Sequence, residues 1–138
     1  MTAAARASAG HHSALSEVAP PFDLAPATSD DPLKFRDRPV VAVLRDADGA
    51  VLDAARNTNG THRLRHAEVN LVQRWQARGH STFPAGARVD VSLQCCRMCA
   101  ALLVQMAPHG VEVRYGRPET GPMGHSTELQ RLGWEAPL

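Results

Sequence analysis

The stretch VDVSLQCCRMCAALLVQMAPHGVEVRY, residues 89–115, changes its periodicity twice, and those changes set the fold class. Val89, Val91 and Leu93 alternate with polar neighbours, the period-two pattern of a strand with one face inward, and the pattern stops at Gln94. Cys99, Leu102, Leu103 and Met106 then recur at helical spacing until Pro108 and Gly110 end the helix. Val111, Val113 and Tyr115 alternate again. A strand, a helix of this length and a second strand predict parallel pairing through a right-handed crossover.

Working upstream, Ala67, Leu71, Val72 and Trp75 fall on one helical face ended by Gly79, which predicts a helix from about residue 65 to 78. Asn57-Thr58-Asn59-Gly60 reads as a loop before it. Residues 40–45 and 50–56 read as two strands joined by Asp46-Ala47-Asp48-Gly49, whose Asp and Gly suit a hairpin turn. Downstream lies a Gly- and Pro-rich loop and one short helix over residues 126–132. The 23 residues after Tyr115 leave little space for a further strand and helix. The order is ββαβαβ, an α/β sheet covered by helices. Residues 1–30, rich in Ala, Ser, Pro and His, read as a flexible N-terminal arm with a short helix over residues 15–19.

The chain has 138 residues, of which 43% are apolar, 21% charged and 4% aromatic, a balance that fits one globular domain. Its 22 Ala and absence of Ile leave Val and Leu to fill a modest core. Apolar runs such as Val40 to Leu44 are short, the longest being the seven residues Met98 to Val104, against the roughly 18 that a membrane span requires, so no membrane association is expected. The N-terminus lacks the apolar stretch of a secretory signal, and a cytoplasmic location follows as the expectation. Three cysteines crowded at Cys95, Cys96 and Cys99 are not a secreted disulfide scaffold; in a reducing compartment they read as metal ligands or redox groups. The net charge of +1 conceals a division: residues 1–53 sum to −3, residues 54–117 carry nine Arg against three acids (+6), and residues 118–138 sum to −2. A basic middle can attract a polyanion, although 14 Arg against one Lys also fits a compositional bias.

Two short stretches carry chemistry, His66-Ala67-Glu68 and Cys96-Arg97-Met98-Cys99, each opening a predicted helix. The positive end of a helix lowers a thiol pKa, and thiolates bind Zn²⁺. An imidazole from the neighbouring helix would complete three protein ligands, the number typical of a catalytic zinc with one position left for water. A carboxylate beside it, Glu68, could take the proton of that water and deliver it to a leaving amine, which is hydrolytic deamination.

With those residues the chain resembles the zinc-dependent cytidine deaminase-like superfamily, whose signature is H-x-E followed by P-C-x-x-C. The spacing of 30 positions from His66 to Cys96 is similar to that of the tRNA adenosine deaminase branch and related bacterial polynucleotide deaminases, as are Val113-Arg114-Tyr115-Gly116 and the later Gly-Pro-Met-Gly-His-Ser. The resemblance covers residues 39 to about 125. It implies a three-layer α/β cytidine deaminase-like fold, a mixed sheet in which a β-hairpin precedes αβαβ with helices packed on both faces, and a single zinc deaminase domain over residues 31–138. It also implies zinc on His66, Cys96 and Cys99, Glu68 as proton shuttle, a loop asparagine, Asn57 first or else Asn59, with Ala67 against the nucleoside, and a homodimer. Position 95 is Cys where the family has Pro. The register that aligns with the family takes Cys96 as ligand and leaves Cys95 as a spare thiol or a competing ligand.

Arg63 and Arg65 flank His66, and Arg97 lies between the cysteines, so these are the candidates for phosphate contacts; solvated arginines are the plain alternative. His62, His80, His109 and His125 read as surface or loop residues. Trp75 and Leu71 read as core, and Phe83 as a lid on the core rather than a base-stacking platform. The activity expected is deamination of cytosine or adenine in single-stranded DNA or a tRNA loop. The alternatives are a deaminase of free cytidine, guanine or a similar base, a toxin-type nucleic-acid deaminase, and a non-catalytic zinc-stabilised binding module.

Overall fold

The computed structural model describes residues 39–59 and 64–138. The expected arm over residues 1–30, its short helix over residues 15–19, and His62 and Arg63 lie outside the described residues. Strands β1 (Val41–Arg45) and β2 (Val51–Arg56) form the antiparallel hairpin. Its turn is built by Asp46, whose Oδ1 accepts from the backbone N–H groups of Asp48 and Ala50, each at 2.9 Å, with Gly49 at φ 88°. Helix α1 (Ala67–Ala77), strand β3 (Arg88–Leu93), helix α2 (Arg97–Gln105) and strand β4 (Glu112–Arg117) follow.

With β5 (Glu135–Pro137), the described residues form a five-stranded sheet of order β2-β1-β3-β4-β5. β1 is antiparallel to both β2 and β3, while β4 is parallel to β3 through α2, so the sheet is mixed as expected. Because β1 is flanked on both edges, all five of its residues are buried. Alternate residues of β1 serve two faces: Ala42 and Leu44 enter the large core, Val41 and Val43 a small cluster with Ala54. Among the described residues all three α-helices contribute to the large core, with Leu71 and Trp75 from α1, Leu103 from α2 and Leu129 from the tail. Phe83 is 1% exposed within it, so it is a core residue rather than a stacking platform. His80 stacks on Trp75 with ring centroids 3.9 Å apart.

The tail corrects the reading of its length. It holds helix α3 (Glu128–Leu132) and strand β5 (Glu135–Pro137), which pairs parallel to β4. Both fit because they are short. The helix begins two residues later than the pattern suggested, since Ser126 sits at φ 57° and Thr127 forms a capping box with Gln130. Gly133 at φ 72° ends it and turns the chain straight into β5. Helix α1 likewise starts at Ala67, not residue 65, because His66 is extended. Among the described residues no helix is long and apolar enough to cross a membrane.

Candidate metal centre and pocket

Both helices that open the site lack the usual Ser, Thr, Asp or Asn cap. His66 is the N-cap of α1 and Cys96 the N-cap of α2, each with extended backbone and no side-chain bond to its helix. A helix start without that bond forgoes about 1 kcal/mol, so these two side chains are turned elsewhere. They turn toward one another. His66 Nδ1 lies 3.7 Å from Cys96 Sγ and 3.4 Å from Cys99 Sγ, and the three donor atoms all lie within 4.8 Å of one another.

This group fits a zinc ion. Tetrahedral bonds of about 2.0 Å to nitrogen and 2.3 Å to sulfur place N and S about 3.5 Å apart, which matches both contacts. The thiols are also set for it: the Cys99 thiol donates to Cys96 and, with the His66 imidazole, pushes the Cys96 thiol down to about 4 despite partial burial. Giving that hydrogen bond pushes the Cys99 thiol up, and burial adds to it.

Glu68, in the first turn of α1, is 4% exposed. Burial holds its carboxyl above the ordinary value, opposed by its own backbone N–H and by a hydrogen bond from the Cys95 thiol. Cys95 is fully buried, its thiol raised well above the usual range by that burial and by the Glu68 carboxylate. It is not among the residues whose donor atoms converge.

His66, Ala67, Glu68 and Cys96 line a pocket of about 140 Å³ together with Val40, Asn57, Asn59, Leu93, Gln94 and Glu119. Asn57 is anchored in its wall: Oδ1 accepts from the Val40 backbone at 3.0 Å and Nδ2 donates to Asn59 Oδ1 at 2.9 Å. Five expected residues, Asn57, Asn59, His66, Ala67 and Glu68, therefore meet Cys96 in one recess, with Cys99 behind it. Of the three expected phosphate contacts, Arg63 lies outside the described residues, and Arg65 and Arg97 do not line that recess. Arg65 donates to Gln73 at 2.7 Å and lines a separate groove, because residue 65 precedes an extended His66 and faces the other way. Arg97 donates to the His125 carbonyl at 2.7 Å on the surface.

Gln94 and Glu119 were not singled out from the sequence. Gln94 Oε1 accepts from the Glu119 backbone at 3.0 Å, and its Nε2 donates to Glu135 on β5 at 2.9 Å. The loop after β4 is thus clamped to the pocket rim. The break in alternation at Gln94 was the available signal; Glu119, in a Pro-rich loop, had none.

No curated protein matches the sequence. Among solved structures, a dCMP deaminase from cyanophage S-TIM5 in complex with dCMP and dUMP matches with TM-score 0.61 at 18% identity, over 91% of this chain and 94% of that one. The same enzyme's apo form matches with TM-score 0.52 at 22% identity, over 71% and 78%. A structure from studies of A-to-I editing by tRNA deaminases at the wobble position gives TM-score 0.49 at 24% identity, over 62% and 75%. The two cyanophage likenesses bear on the fold. A family model described as Bd3614-like deaminase matches residues 31–137, which contain the whole sheet and both site helices, and so the chain belongs to the Bd3614-like deaminase family within the cytidine deaminase-like superfamily.

Proposed function

We propose that this protein is a zinc-dependent hydrolytic deaminase that acts on the exocyclic amine of cytosine or adenine in a single-stranded polynucleotide. The observation that carries the reading is the convergence of the His66, Cys96 and Cys99 donor atoms at a pocket whose wall also holds the Glu68 carboxyl. Zinc held by those three residues supplies Lewis acidity that lowers the pKa of water toward neutrality. Glu68 takes the proton from the attacking water on a carboxylate oxygen and returns it to the nitrogen that leaves. The water oxygen bonds to the amine-bearing carbon, the carbon–nitrogen bond breaks, and ammonia departs. Asn57 and Asn59, fixed to each other and to Val40, offer rigid polar contacts to the nucleoside. Ala67, without reach beyond Cβ, leaves room for the base between the ligand and the proton carrier.

The polynucleotide rests on the surplus of six positive charges over residues 54–117, the segment that also contributes all four chemical groups. A free nucleotide is the second reading, supported by the dCMP and dUMP bound to the cyanophage neighbour. The test is incubation of zinc-loaded protein with RNA and DNA oligonucleotides, free nucleosides and mononucleotides, with the converted base read as a mass gain of about one dalton. Conversion in oligonucleotides is expected, falling steeply as salt is added. Conversion of free nucleotides alone, insensitive to salt, would leave the second reading. Glu68→Ala is expected to abolish conversion with zinc retained; surviving activity would remove Glu68 from its role.

A further inference from the structure

The segment that walls the pocket has two sides. Asn57 and Asn59 face the pocket, while Arg56 and Thr58, the alternate residues, face a second recess. The same division recurs at the other end of the loop, where His66 lines the pocket and Arg65 the recess. That recess is an open groove of about 500 Å³ between edge strand β2 and helix α1. Its lining includes Arg56, Arg65 and Arg74, with Thr58, Asn70 and Gln73 between them and no carboxylate.

Charge and rigidity both suit it to an anion. The nearby Asp53 carboxylate serves two guanidinium groups, Arg74 at 3.1 Å and Arg78 at 3.3 Å, so positive charge remains in surplus. Asn70 Nδ2 donates to the Arg56 carbonyl at 2.8 Å and to Thr58 Oγ1 at 3.0 Å, tying α1 to the end of β2 and preforming the floor. Gln73 Oε1 accepts from Arg65 at 2.7 Å and fixes that guanidinium over the groove. Arginine forks match phosphate oxygens in pairs, and contacts of this kind set register without reading sequence.

We infer that the β2–α1 groove is a docking track for the sugar–phosphate backbone of the single strand whose target base enters the adjoining pocket. The inference rests on the polynucleotide reading above and adds the path of the strand. RNA and DNA share the phosphodiester it recognises, and both serve as probes.

The full chain is titrated into short fluorescent single-stranded RNA and DNA oligonucleotides across a salt series. Gln73→Glu and Arg65→Gln are expected to weaken binding roughly threefold or more at low salt, Gln73→Lys to tighten it by a similar factor, and each lost phosphate contact to flatten the salt slope by about 0.7. Gln73 is exposed on α1, so its two variants test the groove without disturbing the core. Arg131→Gln removes one charge from α3 outside the groove and is expected to leave affinity within about twofold. Affinities that ignore the Gln73 and Arg65 changes, or that fall equally with Arg131→Gln, overturn the track while leaving a polynucleotide substrate standing if oligonucleotides are still deaminated. Failure of the unaltered protein to bind either strand overturns the track and the polynucleotide reading together.

Discussion

Cys95 and Cys96 are adjacent thiols with opposite settings. Cys96 is pushed down to about 4 by the thiol of Cys99, whereas Cys95 is raised by burial beside the Glu68 carboxylate. The reason is direction: the extended backbone at Cys96 sends its side chain toward His66 and the preceding one toward the interior. Cys95→Ala is therefore expected to retain zinc after desalting, and Cys99→Ala to lose it, as measured by elemental analysis. Retention in the second variant would restore Cys95 as a ligand. Glu68 carries a pH dependence of determinable sign. Its folded pKa is raised above 4.5, so its contribution is fully favourable below that pH and is lost as pH rises through the folded value. In metal-free protein, Glu68→Gln should match the unaltered chain in Tm below pH 4.5 and exceed it at neutral pH. An equal Tm at both would mean the carboxyl is not desolvated.

At the level of elements, the hairpin and the βαβ unit are joined by a charged bolt. Arg45 on β1 donates to Asp90 on β3 at 2.9 Å and to the Gly49 carbonyl at 2.7 Å, and Arg88 reaches the other Asp90 oxygen. Asp90 is 2% exposed, so removing it strands a buried guanidinium. Asp90→Ala is expected to cost about 3 kcal/mol in denaturant unfolding, and the Arg45→Met/Asp90→Ala pair less than the sum of its members. Additive losses would show that the two groups act independently. This contact fixes β1 antiparallel to β3, which in turn carries Gln94 to the rim of the pocket and Cys96 to the start of α2.

Across the whole molecule, the site couples the two helices that the sheet sets side by side. His66 begins α1, Cys96 and Cys99 begin α2, and a shared ion would bind the folded state alone. Chelation is expected to lower Tm by on the order of 10 °C where free zinc had stood a hundredfold above Kd, with recovery on adding zinc back, by differential scanning calorimetry. An unchanged Tm would leave the group without a resident ion. Much of this was legible in one dimension. The alternation of Val89, Val91 and Leu93 and the helical spacing after Cys99 are local, because the period of an element is a property of its own backbone. The converging group of His66, Cys96 and Cys99 was legible for a related reason, since motif and helix start coincide at His66 and Cys96. What depended on the third dimension was the direction of exposed and extended residues. Arg65 faces the groove rather than the pocket, Glu119 reaches the rim through Gln94, and Glu135 to Pro137 forms a strand only because β4 offers an edge to pair with. The sequence by itself determined every described element except β5, and which side chains can hold a metal. Tertiary packing alone decided which neighbours line the recess, because contacts between residues far apart in the chain have no period to announce them.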